Sequence, residues 1–235
     1  MILDLILYGG FAGITVLIGG ILAHIFDHHM GEGFLKREIS HTLMSFGAGI
    51  MLSALALVLV PKSLEKLDVL PLSLSFLGGA VLFMYIDHYL AKKGGQVSTL
   101  LAMMMDFIPE SIALGAVFAL DHQMAMLLAI FIGLQNLPEA FNAFRDLVKS
   151  GFTPQKTLLI FLFLSFFGII GVLTGHFLLE NSPTLTAYLM SFASGGILYL
   201  LVQDIVPESK MEKSYLTSMG ATLGFLVGII GEKVI

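Results

Sequence analysis

Three acids stand inside apolar runs of this 235-residue chain: Asp106 and Glu110 in MMMDFIPESIALG, and Glu139 in GLQNLPEAFNAF, where Gln135 and Asn136 precede it. An ionised acid at the centre of a membrane-spanning helix costs on the order of 2.5–3.5 kcal/mol on insertion scales, so these acids require a proton or a cation. Burial favours the protonated form, which is one remedy; a bound metal ion is the other. No lysine or arginine lies near the middle of these runs, so an internal salt bridge is not the partner. Asp106 and Glu110 are spaced i, i+4, as are Gln135 and Glu139, and each pair therefore shares one helix face. Four oxygen donors facing one another across an antiparallel helix pair suit a divalent cation. Both glutamates follow a proline, Pro109 and Pro138, and neither proline can donate to the carbonyl four residues back, on Met105 and Leu134. Freed carbonyls at membrane depth are tolerated where they line a site or a cavity. The chain has no cysteine, which excludes thiolate ligands and disulfides and leaves oxygen as the principal donor. Met103, Met104 and Met105 point in different directions around a helix and are read as packing.

The elements that must position these residues follow from composition: 57% of the chain is hydrophobic and 12% charged, far below the roughly 25% charged of a soluble domain. A span needs about 20 apolar residues, so with short connectors the chain accommodates about eight. The apolar runs place them at 3–26, 39–61, 69–90, 98–120, 124–145, 157–179, 184–206 and 215–232. Nine of the twelve basic residues, including Lys36, Arg37, Arg145, Lys149 and Lys213, fall on one side of this arrangement. The positive-inside rule then puts both termini outside the cytoplasm of an inner or plasma membrane. The start, MILDLIL, lacks the basic segment of a cleaved signal peptide and is read as the first span.

An internal repeat refines this plan. FGAGIMLSALALVLVPKS from Phe46 aligns without gaps to FASGGILYLLVQDIVPES from Phe192, with identities at Phe46/Phe192, Gly49/Gly195, Leu52/Leu198, Leu55/Leu201, Val60/Val206, Pro61/Pro207 and Ser63/Ser209. Spans 2 and 7 lie an odd number of crossings apart, so the copies would traverse the membrane in opposite directions. Inverted repeats of this kind are typical of secondary transporters.

The two Pro-Glu helices, FGAGIML and the ending DIVPES resemble the ZIP family of divalent-metal transporters, whose fourth span reads His-Asn-x-Pro-Glu-Gly and whose fifth carries a second Pro-Glu-Gly. The resemblance covers essentially the whole chain. It implies an all-α integral membrane protein with eight transmembrane helices in a 3+2+3 arrangement and one transmembrane domain over 1–235. Repeat 1 would cover about 1–97, the central helix pair about 98–147 and repeat 2 about 148–235. It further implies uptake of a divalent metal of the Zn, Fe or Mn class toward the cytoplasm, the metal being cargo and not a prosthetic group. The family's primary site falls on Asp106, Glu110, Gln135 and Glu139. Two departures stand out: Asp106 replaces the family's histidine and Phe107 the next asparagine, while SFFGIIGVLTGH in span 6 lacks a second-site acid. A single metal ion is expected, with Asn136 beside its ligands; carboxylate in place of imidazole shifts preference toward harder ions such as Mn(II) or Fe(II), while Zn(II) also accepts oxygen sites.

Acids and histidines gather at the predicted cytoplasmic ends, among them His41, Asp87, His88 and Glu208. Asp204 and the closely spaced His24, Asp27 and His28 are the candidate exit-path residues; ordinary interfacial polarity is the competing reading. His122 and His176 fall on the outer side with no cluster around them. Glycines in spans 1, 3 and 8 suit close helix contact. Expected partners are the lipid bilayer and divalent metal ions, with no nucleic acid, and a homodimer is admitted. The alternative function is a proton-linked carrier of another small solute that uses the same acids as a relay. No enzyme is expected, since no His-Glu-x-x-His motif occurs and no serine has an activating base.

Overall fold

The structure, a computed structural model, describes residues 1–212 and 214–234, with nothing said of the side chains of 95–97 and 99. Lys213, counted above among the basic residues, lies outside the described residues. The described residues are helical and contain no strand. The long helices are α1 (Ile2–His29), α2 (Phe34–Leu64), α3 (Val69–Lys93), α4 (Gly95–Leu120), α5 (His122–Lys149), α6 (Pro154–Leu179), α7 (Pro183–Ser209) and α8 (Leu216–Val234). Seven of these, α1 to α7, are long and apolar enough to cross a membrane. The eighth expected span corresponds to α8, which has 19 residues and carries Glu232 and Lys233 in its last turn.

Local signals fix where the helices begin and end. Asp121 caps α5 by accepting from the Met124 N–H at 3.0 Å, and Thr153 caps α6 by accepting from the Lys156 N–H at 3.3 Å, with Pro154 at the first helical position. Gly94, at φ +58°, ends α3. Several helices run past the apolar limits read from sequence. Thus α2 begins at Phe34, because Lys36 is neutralised by Asp27 and Glu32 and can continue the helix. Pro109 and Pro138 lie inside α4 and α5, and both helices continue through them.

Two helices contain a widened turn. Leu55–Leu59 in α2 and Leu201–Ile205 in α7 are π-helical, each closed by an N–H reaching back five residues, from Val60 to Leu55 and from Val206 to Leu201. These stretches occupy the same position in the aligned repeat, where Leu55 faces Leu201. Each lies just ahead of its proline, Pro61 or Pro207, whose ring would crowd the carbonyl four residues back in a regular α-helix.

Packing follows the same correspondence. α2 packs along α8 and α3 along α7; α5 packs on α1 and α4 on α6; α1 and α6 meet each other. Exchanging the two copies interchanges the first two of these pairs and the next two, and maps the α1–α6 pair onto itself. Glycines permit the closest approaches. Gly49 sits on the Ala221 carbonyl and Gly224 on that of Phe46, while Gly195 sits on the Phe76 carbonyl and Gly79 on that of Phe192. Large apolar side chains such as Leu3, Phe11, Leu74, Leu77, Phe163 and Ile230 face outward, as a bilayer requires. The buried core, including Leu5, Ile50, Met51, Leu114, Phe131 and Phe161, lies between α1, α2, α4, α5 and α6.

A side chain at Gly49 or Gly195 would meet a neighbouring backbone carbonyl. Gly49→Val and Gly195→Val should each destabilise the detergent-solubilised protein by about 1–3 kcal/mol, the usual range for overpacking, seen as matched drops in melting temperature. Asp121, in the turn outside the spans, also makes stability depend on pH. Its carboxyl is held below the ordinary aspartate range, first by the Met124 N–H and further by Lys62, against the opposing effect of burial. A lowered acid contributes stability that is present above its ordinary range and lost as pH falls through the lowered one. Asp121→Ala should therefore flatten the acid limb of a melting-temperature profile relative to the parent protein.

Candidate metal centre

Asp106 and Glu110 project from α4, Gln135 and Glu139 from α5, and the structure brings all four together. Asp106 and Glu110 are 5% and 2% exposed and Gln135 is fully buried. Gln135 Nε2 donates to Glu110 Oε2. Asp106 and Glu139 both line one cavity. Asp106 Oδ1 also accepts from the Phe107 N–H at 2.8 Å. These bonds leave Gln135 Oε1 and Glu139 Oε1 buried without a hydrogen-bond donor. A buried acceptor with no partner carries its full desolvation cost, and a divalent ion seated among oxygens would remove it. Among the described residues no three His, Asp or Glu side chains already stand in ligand geometry. Burial favours the protonated form of a carboxyl group and a cation favours the ionised one, so seating a cation here would release protons.

Packing fixes α5 against its neighbours. Pro138 lies on Gly47 of α2, Gly19 of α1 lies on the Leu137 carbonyl, and Asn136 Nδ2 donates to the Ala12 carbonyl at 2.9 Å. Asn136, expected beside the metal, therefore reaches toward α1. Phe107, at the position where the family has asparagine, is 2% exposed and packs near Gly168 of α6.

Access to the acids is one-sided. A cavity of about 170 Å³ is lined by Asp106 and Glu139 and extends past Asn142 to Asp146, Asp204 and Glu208. A second, of about 330 Å³, shares Met44, Asn142, Asp146 and Glu208 and adds His41 and Arg145. Toward Asp121, by contrast, α4 carries Leu114, Val117 and Phe118 and α5 carries Leu127, Leu128 and Phe131, all 1% exposed or less. A separate cavity of about 250 Å³ lies at that end, where Lys62 pairs with Glu65 at 3.3 Å and Asp121 at 3.4 Å.

The candidate exit residues separate into two groups. Asp204, in the π turn of α7, lines the first cavity. His24, Asp27 and His28 line neither of the two connected cavities. His24 lies against the Phe144 ring, His28 against His29, and Asp27 is bound by Arg145 and Lys36. Asn142 and Asp146 escaped the sequence reading, although the signal was present: Gln135, Glu139, Asn142 and Asp146 recur at helical spacing along one face of α5. Met103 lines the cavity beside Asp106. His122 and His176 are not isolated. They flank Phe118 at ring distances of 4.2 and 5.7 Å, and His176 Nε2 is 3.3 Å from Glu180.

The family profile described as ZIP Zinc transporter matches residues 90–231, a stretch that contains all four site residues. The chain belongs to the ZIP zinc transporter family. It is 25% identical over 228 residues to zinc transporter ZIP13 of Pongo abelii, covering 92% of this chain and 64% of that protein. Zinc transporter GufA of Myxococcus xanthus is 29% identical over 134 residues, 55% of this chain and 52% of the relative. Zinc transporter ZIP13 of Gallus gallus is 27% identical over 134 residues, 55% and 36%. The chain thus spans from about a third to somewhat under two thirds of these ZIP relatives. The resemblance read from the Pro-Glu helices is borne out, as is a multi-pass helical membrane protein of a metal-transport family.

Asn136→Ala removes a buried interhelical bond while leaving the four oxygens in place. It should lower stability by about 1 kcal/mol, the usual net worth of such a bond, yet leave any rise in melting temperature with added metal the same as in the parent protein. A Zn(II) or Mn(II) titration followed by differential scanning fluorimetry checks both parts.

Proposed function

We propose that this protein carries divalent metal cations of the Zn, Fe or Mn class across the inner or plasma membrane toward the cytoplasm, through a site made by Asp106, Glu110, Gln135 and Glu139 between α4 and α5. The observation that carries the reading is the pair of buried, donor-less oxygens on Gln135 and Glu139, set beside two further buried carboxyl groups. Membership of a zinc transporter family and relatives named as zinc transporters support it. We assign eight spans, with α1–α3 and α6–α8 as inverted repeats around α4 and α5, and both termini outside the cytoplasm. The matched π turns and the exchange symmetry of the packing support this arrangement. With that orientation the cavity from Asp106 and Glu139 opens toward the cytoplasm, and Asp204 lies on the exit route.

Three carboxylates exceed the charge of one divalent ion, and a proton kept on one of them moderates the excess. Metal entry displaces protons from the others, so binding competes with protons. The burial of Asp106 and Glu110 favours a second reading, a proton-linked carrier of another small solute that uses the same acids as a relay.

Glu110→Ala and Glu139→Ala should abolish Zn(II) or Mn(II) uptake into proteoliposomes while both proteins still fold and insert. In the parent protein, micromolar to millimolar metal should raise the melting temperature, as any ligand of the native state does; in either mutant the rise should vanish. Parental uptake rates in both mutants would remove the site assignment. A melting temperature indifferent to every divalent metal, with a solute-dependent proton flux, would favour the second reading.

A further inference from the structure

A cation leaving the carboxylates toward the open end passes a guanidinium. Arg145 lies on α5 one residue before Asp146 and lines the wider cavity together with His41, Asn142, Asp146 and Glu208. Its charge is paired at the wall of that space, which Ser40 also lines. Arg145 Nε lies 3.1 Å from each oxygen of Asp27, on α1, and Nη1 donates to Ser40 Oγ, on α2, at 2.6 Å. Asp27 also receives Lys36 Nζ at 2.9 Å, and Lys36, 3% exposed, is bound in turn by Glu32 at 2.7 Å. The remaining charged groups of the cavity are Lys149, 3.7 Å from Asp146, together with Asp146 and Glu208 themselves. With Arg145 and Lys36 held by Asp27 and Glu32, the acids of the cavity are left to set the potential along the route.

We propose that Asp27 is a positioning residue for transport, acting as the counter-ion that keeps the Arg145 charge paired at the cavity wall and off the acids along the path of the departing cation. This rests on the metal-transport reading above and gives Asp27 a role other than that of a metal stop. Freed from Asp27, Arg145 has the acids of its own cavity as its nearest alternative partners, and there it would both repel the ion and occupy its ligands.

The test compares Zn(II) uptake by parent, Asp27→Asn, Asp27→Glu, Arg145→Gln and the double variant Asp27→Asn/Arg145→Gln in proteoliposomes, with melting temperatures measured alongside. Asp27→Asn should slow uptake by roughly tenfold, the scale of an uncompensated unit charge close to a divalent ion's path. Asp27→Glu should largely retain uptake. Arg145→Gln should transport at the parental rate or faster, and the double variant should recover most of the loss. Raising monovalent salt should partly restore Asp27→Asn, since screening weakens a repulsion but does not repair a helix contact. If Arg145→Gln is as slow as Asp27→Asn, or the double variant is no better than Asp27→Asn, the pair is only a tie between helices and the proposal fails while metal transport stands. If the parent itself moves no divalent metal, the transport reading fails and this role fails with it.

Discussion

The arrangement turns on oxygen atoms that have no hydrogen-bond donor. In an apolar bundle an acceptor with no partner is a standing cost, and Gln135 Oε1 and Glu139 Oε1 are left in that condition while Asp106 accepts from the Phe107 N–H and Glu110 from the Gln135 amide. A site of this kind persists only if its backbone is held from outside. The Asn136–Ala12 bond and the Pro138–Gly47 and Gly19–Leu137 contacts provide that hold on α5, and α4 is seated on α6 through Gly115, Gly171 and Gly175. Asn136, which braces α5 through a backbone carbonyl, is thus distinct from the four side chains proposed for the cation.

A repeated backbone with unlike side chains accounts for the one-sided access. The widened turns of α2 and α7 occupy matching positions, yet α7 places Asp204 in its turn, where it lines the cavity, and α2 places Val58 at the matching position, fully buried. One copy has become a polar wall and the other part of an apolar plug. The glycine contacts obey the repeat more strictly, because backbone proximity tolerates no side chain at Gly49, Gly79, Gly195 or Gly224, whereas a cavity wall tolerates many.

Much of this was legible in the chain. The i, i+4 spacing of the acids and amide placed four oxygens on two helix faces, and the aligned prolines of the repeat marked two corresponding helices. The π turn that each of these helices carries was not legible, since hydrophobic periodicity does not register one widened turn. Nor could the sequence tell what an interior polar group is bonded to. Asn136 lies next to Gln135 in the chain, but consecutive residues of a helix face different ways, and its partner is a carbonyl on a helix far away in sequence. Asp27, between two histidines, resembled a ligand cluster until Arg145 and Lys36 were found on it, both remote from the local pattern that suggested it. Asn142 and Asp146 lay in plain spacing, yet their weight is evident only from the cavity they line.

The stripe of Gln135, Glu139, Asn142 and Asp146 makes α5 a ruler. Neighbouring oxygens along it are three or four residues apart, close to one turn, or about 5.4 Å of axial rise. That step is short enough for an ion held between two carboxyl groups to take hold of the next oxygen, directly or through one retained water, before releasing the last. For the proposed cargo, hand-overs of this kind would avoid both full dehydration and strong trapping, and the stride would be set by the pitch of a single helix.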